Sequence, residues 1–280
     1  MDADAASAEG TVMSEIDVAL APAPAPSIYT VAGDGAADFS GDDGPAVKAA
    51  LNGPLGVALD SEGNVYIADT SNQRIRKVDA KAQTITTVAG NGTRAFTGDG
   101  GSAVDATFSS PRGLAVDADG NLYIADYYNN AVRRVDAKTQ VLTTVAGTGP
   151  TTAFSGDGGP AVKASLASPS GVAVDGDGNL YIADNSNQRI RKVDAKTQTI
   201  TTVAGGYTSG FYGDGGPATH AVFDYPDDVA VDGEGNPSTS PTATTIGSGG
   251  STRRPRSSPP SQATATMVRT ATAARPSRHH

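Results

Sequence analysis

Four segments of the form Asp-x-x-Gly-Asn, beginning at Asp60, Asp117, Asp175 and Asp232, hold oxygen ligands at a spacing that suggests calcium. An EF-hand loop needs a glutamate at its twelfth position and a helix on either side. Position twelve here is Ser71, Tyr128 or Ser186, and the flanking residues are strand-like, so these segments are predicted to be hairpin turns with Gly in the left-handed conformation. The Gly-Asp-Gly-Gly stretches at Gly98, Gly156 and Gly213 offer backbone N–H groups that can cradle an anion. No Gly-Lys-Ser/Thr follows them, which excludes a P-loop. They are expected to be structural loops entering a short helical turn, with Asp42, Asp99, Asp157 and Asp214 placed to cap that turn.

Other catalytic chemistry finds little to work with. The absence of Cys excludes disulfides, thiolate metal sites and a Cys nucleophile, and leaves the compartment undecided. His220 is the one histidine before the C-terminal pair, and one imidazole cannot build a metal site or a His-based lyase centre. No Gly-x-Ser-x-Gly is present. The sequence therefore assigns no catalytic residue, no metal ligand and no cofactor, and the chain is predicted not to be an enzyme.

The elements that position these residues repeat. Thr-Val-Ala-Gly begins at Thr30, Thr87, Thr144 and Thr202, at intervals of 57, 57 and 58 residues. Phe39, Phe96, Phe154 and Phe211 keep step, as do Pro54, Pro111, Pro169 and Pro226. One period resolves into four short runs, Gly56–Asp60, Val65–Asp69, Arg74–Asp79 and Thr84–Gly90, each rich in Val, Ile, Thr or Tyr and bounded by turn residues. Four antiparallel strands per period make a propeller blade, and a fixed period of this length decides the architecture. The fold class is thus all-β, a β-propeller with about three and a half blades present, near 56–90, 113–147 and 171–205, with a fourth starting at 228–236.

With its recurrent GVAVD, NLYIAD, RIRKVD and TVAG strands and its Gly-Asp-Gly-Gly-Pro-Ala insert, the stretch from Ser27 to Asn236 resembles the NHL-repeat family in its bacterial form. That resemblance implies a propeller, usually six-bladed, that binds proteins, glycans or other ligands. The inserts PAVKAAL, SAVDATF, PAVKASL and PATHAVF read as one short helical turn each. Arg74 and Arg76, with Asp69 and Asn72 just before them, recur in nearly every unit and are expected to satisfy partners between neighbouring blades. Ser27–Gly33 reads as a fourth strand lacking its first three, which in a closed ring completes the last blade.

Composition divides the chain. Residues 1–236 hold 15 Lys and Arg against 30 Asp and Glu, a net −15, whereas 237–280 hold six Arg and no acid. Such an acidic region argues against nucleic acid. No apolar run approaches the ~20 residues of a membrane span, and the acidic start MDADAASAEG is unlike a secretory signal. Residues 1–26 read as an acidic, Ala/Pro-rich disordered leader whose APAPAP is an interdomain spacer. Residues 237–280 read as a disordered Ser/Thr/Pro/Arg-rich tail.

That tail conceals the repeat. A codon shifted by one base ends in the first two bases of a visible residue, so each visible residue restricts its neighbour-frame counterpart to a few choices. Ser238–Thr242 permits Leu-Tyr-Ile-Ala-Asp, Pro259–Ala263 permits Thr-Thr-Val-Ala-Gly, and Ala271–Pro276 permits Gly-Asp-Gly-Gly-Pro-Ala. The residues between permit a strand of the form Arg-Val-Arg-Arg-Ile-Asp. Residues 237–280 are accordingly expected to be an out-of-frame translation of the rest of the fourth blade and the start of a fifth. An arc so cut leaves open blade edges, which invite non-specific self-association.

Function is expected on the face where the units differ. Thr70-Ser71, Tyr127-Tyr128 and Asn185-Ser186 follow the second strand; Leu55, Arg112, Ser170 and Asp227 precede the first; insert tips carry Thr93-Arg94 or Pro150-Thr151-Thr152. Variation on one face of a rigid scaffold makes distinct binding surfaces, and aromatic and Arg residues anchor interfaces. Arg112, Tyr127, Tyr128 and Asp227 are the candidates, for an unidentified protein or carbohydrate partner of a scaffold or sensor module. The competing class is a fragment of a propeller lyase whose channel-metal ligands lie in missing blades.

Overall fold

The computed structural model describes residues 27–150, 154–206, 209–232 and 235–241. Three four-stranded antiparallel sheets follow one another: β1 to β4 (Val57–Leu59, Val65–Asp69, Arg74–Val78, Ile85–Ala89), β5 to β8 (Pro111–Val116, Leu122–Asp126, Ala131–Val135, Leu142–Ala146) and β9 to β12 (Pro169–Val174, Leu180–Asp184, Arg189–Val193, Ile200–Gly205). Each sheet runs in sequence order, so every connection is a hairpin.

Both faces of the second blade are covered, so its strands are apolar on both sides. Along β6, Leu122 and Ile124 face the first blade, where Tyr66, Ala68, Ile75 and Ala89 receive them. Ala125 and Val132 face the third blade, against Leu180, Ile182 and Ile200. Side chains on one face thus pack among those of the preceding blade, the interdigitation that close packing requires. At the inner strands the approach is closer still: a Cβ on Gly113 would stand 2.6 Å from Ser170 O and 2.7 Å from Gly171 Cα.

Each insert forms a single 3₁₀ turn, at Ala46–Lys48, Ala103–Asp105, Ala161–Lys163 and Ala218–His220. In the first three units a residue just before the turn bridges to the outer edge of its own blade (Pro45 to Thr84, Ser102 to Val141, Pro160 to Thr199), so that edge is not left open. Ala103, Ala106 and Phe108 of the second insert fill the core between the first two blades. The expected capping role of the insert aspartates does not hold. None of the 3₁₀ turns has a side-chain cap, and Asp42, Asp99 and Asp157 turn instead to arginines of the sheet.

In the fourth unit β13 (Pro226–Val231) pairs with β14 (Pro237–Pro241). The start of the predicted disordered tail is therefore a strand. Asp232, through its hydrogen bonds with Asn236 and Gly235, forms the same turn as in the other units, and that turn delivers the chain into the second-strand position. An edge strand tolerates prolines that a central one would reject. Residues 242–280, the leader 1–26 and the insert tip Thr151-Thr152 lie outside the described residues. Ser27–Tyr29 joins no ladder, and Ala32 packs on the first insert.

Candidate partner-binding site

The connection between second and third strands is a rigid mount with variable tips. Asp69, Asp126 and Asp184, ending β2, β6 and β10, each accept a backbone N–H from the preceding insert segment (Asn52, Ser109, Ala167) at 2.7 Å. Their second oxygens accept from the amides of Asn72, Asn129 and Asn187. Gln73, Asn130 and Gln188 then take the left-handed conformation, and their side-chain carbonyls accept the N–H of Ser110, Ser168 and Tyr225 in the next unit. Backbone direction is fixed in each of these three units, while the residues between Asp and Asn are free to differ.

In the second unit those residues are Tyr127 and Tyr128, whose rings meet edge to face with centroids 4.8 Å apart. The Arg112 guanidinium carbon lies 3.4 Å from the Tyr127 ring centroid, and that of Arg94 lies 4.8 Å from Tyr128. Arg94 Nε also donates to Ser109 Oγ at 2.8 Å. The result is a continuous row, Arg94, Tyr128, Tyr127, Arg112, with Arg94 and Tyr128 exposed and the other two half-buried. Neither arginine forms an ion pair with a carboxylate among the described residues. Stacked cations of this kind keep their charge available to a ligand. Three of the four predicted residues are thus brought together. Asp227 stands apart, exposed at the corresponding position two units on. Arg94 joins the row unpredicted; its place at a variable insert tip was the available signal.

Sequence comparison bears on the repeat. The family model for the teneurin NHL domain matches residues 92–155 and 149–210, and that for the NHL repeat matches 51–78. The chain belongs to the NHL-repeat family. Bovine NHL repeat-containing protein 2 is 33% identical over 165 residues, 55% of this chain and 22% of that protein. Mouse teneurin-1 is 29% identical over 230 residues, 55% of this chain and 8% of teneurin-1. The NHL units described here thus span less than a quarter of either relative. Among solved structures, a Bacteroides thetaiotaomicron structural genomics protein of unknown function has a TM-score of 0.54 at 25% identity, covering 67% of this chain and 44% of that one. An auxiliary nutrient binding protein from Bacteroides ovatus has a TM-score of 0.51 at 18% identity, covering 66% and 44%, and shares the fold.

The recurrent arginines of the NHL units do a different job from Arg94 and Arg112. Arg76, Arg133 and Arg191, all fully buried, reach Asp42, Asp99 and Asp157 of the insert at 2.6–2.7 Å. On the other side they meet Asp69, Asp126 and Asp184 at 3.2–3.5 Å, with Phe39, Phe96 or Phe154 at 4.8 Å. Their role is structural, as predicted, but the partners are the insert and second strand of their own unit. Burial pushes the Asp126 carboxyl up to about 6, against the donors Asn129, Ser109 and Arg133. A carboxyl raised in the folded state stabilises most below its ordinary value and loses that contribution as pH rises through the folded one. Thermal melts from about pH 4 to about pH 7 should therefore show the wild type losing ground to Asp126→Asn as pH increases; a constant difference would contradict this.

Proposed function

We propose that this NHL arc is a non-catalytic binding module whose variable face takes a protein or carbohydrate partner, and that the Arg94–Tyr128–Tyr127–Arg112 row is its anchor. The observation that carries the proposal is the contrast between the two kinds of arginine. Those that hold the fold are buried between carboxylates, whereas those of the row are stacked on tyrosines and form no ion pair with a carboxylate among the described residues. In an acidic region two uncompensated guanidiniums beside aromatic edges favour a partner that presents carboxylates next to apolar or ring surface. The monotony of the opposite face, where Asp-x-x-Gly-Asn turns bond to themselves, supports the same choice of side. The Ala/Pro spacer before the arc suits a sensor or adhesion-like part of a larger protein.

The test is direct binding of the purified chain to polygalacturonate and to polyglutamate, with dextran as the neutral control. Tyr127→Ala with Tyr128→Ala is expected to weaken binding to the preferred polyanion by about thirtyfold or more, the effect of removing an interface anchor. Binding unchanged in the double variant, with the fold intact by circular dichroism, would remove this face from consideration.

A further inference from the structure

Among the described residues, the fourth unit contains the arginine-holding half of a structural site without its arginine. Its insert has the backbone of the other three. Gly213 takes a positive φ and a Cβ there would meet Ala221 Cα at 2.8 Å, as Gly41, Gly98 and Gly156 meet Ala49, Ala106 and Ala164 at 2.6–2.7 Å. The groups that grip Arg191 from the third insert are the Phe154 ring, the Ser155 carbonyl and the Asp157 carboxylate. Their counterparts are Phe211, Tyr212 and Asp214. Phe211 is 78% and Tyr212 79% exposed, and Asp214 pairs with no cation among the described residues. A phenylalanine that is partly covered in three units and bare in the fourth has, among the described residues, no counterpart of the arginine that covers the others.

Two residues complete each of the other sites: an aspartate ending the second strand and an arginine on the third. In β14 the register puts Pro241 opposite Pro226, where Asp126 stands opposite Pro111 and Asp184 opposite Pro169. Pro237, Ser238 and Thr239 likewise replace Leu180, Tyr181 and Ile182. The neighbouring frame encodes what is missing. Thr242 permits the aspartate, and Gly249 permits an arginine, CGG or AGG, in the strand that follows. The shifted position 249 lies 35 residues after Asp214. The visible pairs are 34 apart (Arg76 and Asp42, Arg133 and Asp99, Arg191 and Asp157), and removing two bases of codon 237 shortens the count by one.

We infer that Phe211, the Tyr212 carbonyl and Asp214 form a preformed guanidinium site, and that its occupant is the arginine encoded across codons 248 and 249 in the shifted frame. The site closes the fourth blade when the frame is restored. This goes beyond the binding role and does not depend on it.

The experiment compares the present chain with one expressed after removal of two bases from codon 237, each with and without Asp214→Ala, by thermal melting. The restored chain is expected to melt several degrees higher, and Asp214→Ala to lower its midpoint by several degrees, about as much as Asp157→Ala does. In the present chain Asp214→Ala is expected to leave the midpoint unchanged within about a degree, since no cation among the described residues occupies the site. A restored chain that melts no higher contradicts the frame. A restored chain that melts higher yet ignores Asp214→Ala keeps the frame and overturns the site. If Asp214→Ala prevents folding of the restored chain, Phe211→Leu serves as the milder probe, and the present chain carrying Asp214→Ala still supplies the control.

Discussion

Replacing Arg191 with alanine is expected to cost about 3–5 kcal/mol, the loss typical of removing one member of a buried ion pair. Arg191 donates to Asp157 at 2.7 Å and Asp184 at 3.2 Å, and stacks on Phe154. Asp184 is fully buried, and burial already pushes its carboxyl above the ordinary value. Without the guanidinium it remains with the Ala167 N–H and the Asn187 amide, and it gains a proton more readily. The loss should therefore be larger at pH 8 than at pH 5. Arg191→Lys keeps the charge but cannot fork to two carboxylates, so it should fall between wild type and alanine. Urea denaturation of the three proteins at both pH values measures this. Equal stability of Arg191→Ala and wild type would mean that the insert is held by its backbone ladder alone.

The second large effect is expected at Gly113. Its φ is not in the left-handed region, so the reason for glycine is the neighbouring blade and not the local backbone. The Cβ of Gly113→Ala would meet Ser170 O, Gly171 Cα and Val172 N at 2.6, 2.7 and 3.1 Å, all backbone atoms that cannot swing aside. The inner strands must part, at a cost of about 1–3 kcal/mol or more. Gly176→Ala is the control, because nothing lies within 4 Å of its added Cβ and its φ is ordinary; it should stay within about 0.5 kcal/mol of wild type. If the two variants melt together, close inner-strand packing is not what orders the blades.

The blades were legible because their signals are local and repeated. Val65-Tyr66-Ile67-Ala68 alternates between two buried faces, and each strand ends at Asp, Asn or Gly where the chain turns. Contacts across a unit were less so. An aspartate just before a short helical turn looks like its cap, whereas Asp42 is held by Arg76, 34 residues on, and only the recurrence of that interval hints at it. Tyr127 and Tyr128 stood out by differing from Thr70-Ser71 and Asn185-Ser186. That Arg94 would cover Tyr128 depends on how the insert tip folds back, which no local pattern records. Asp227 occupies the same place in the repeat as Arg112, yet equivalence in the repeat is not proximity in the arc. β14 was invisible because Pro-Ser-Thr-Ser-Pro has no strand pattern; its pairing follows from the turn before it.

The binding role proposed for these NHL blades gains its full meaning only if they belong to a longer array, as the proposed frame shift after Asn236 implies. Sequencing the source DNA across codons 235–238 and onward tests this most directly. A source that lacks two bases found in codon 237, or holds one more, and that continues into further NHL units is the result predicted here. A source that reads Pro237 to His280 in the frame as given would contradict it, and would make the basic Ser/Pro/Arg-rich segment a genuine part of the protein.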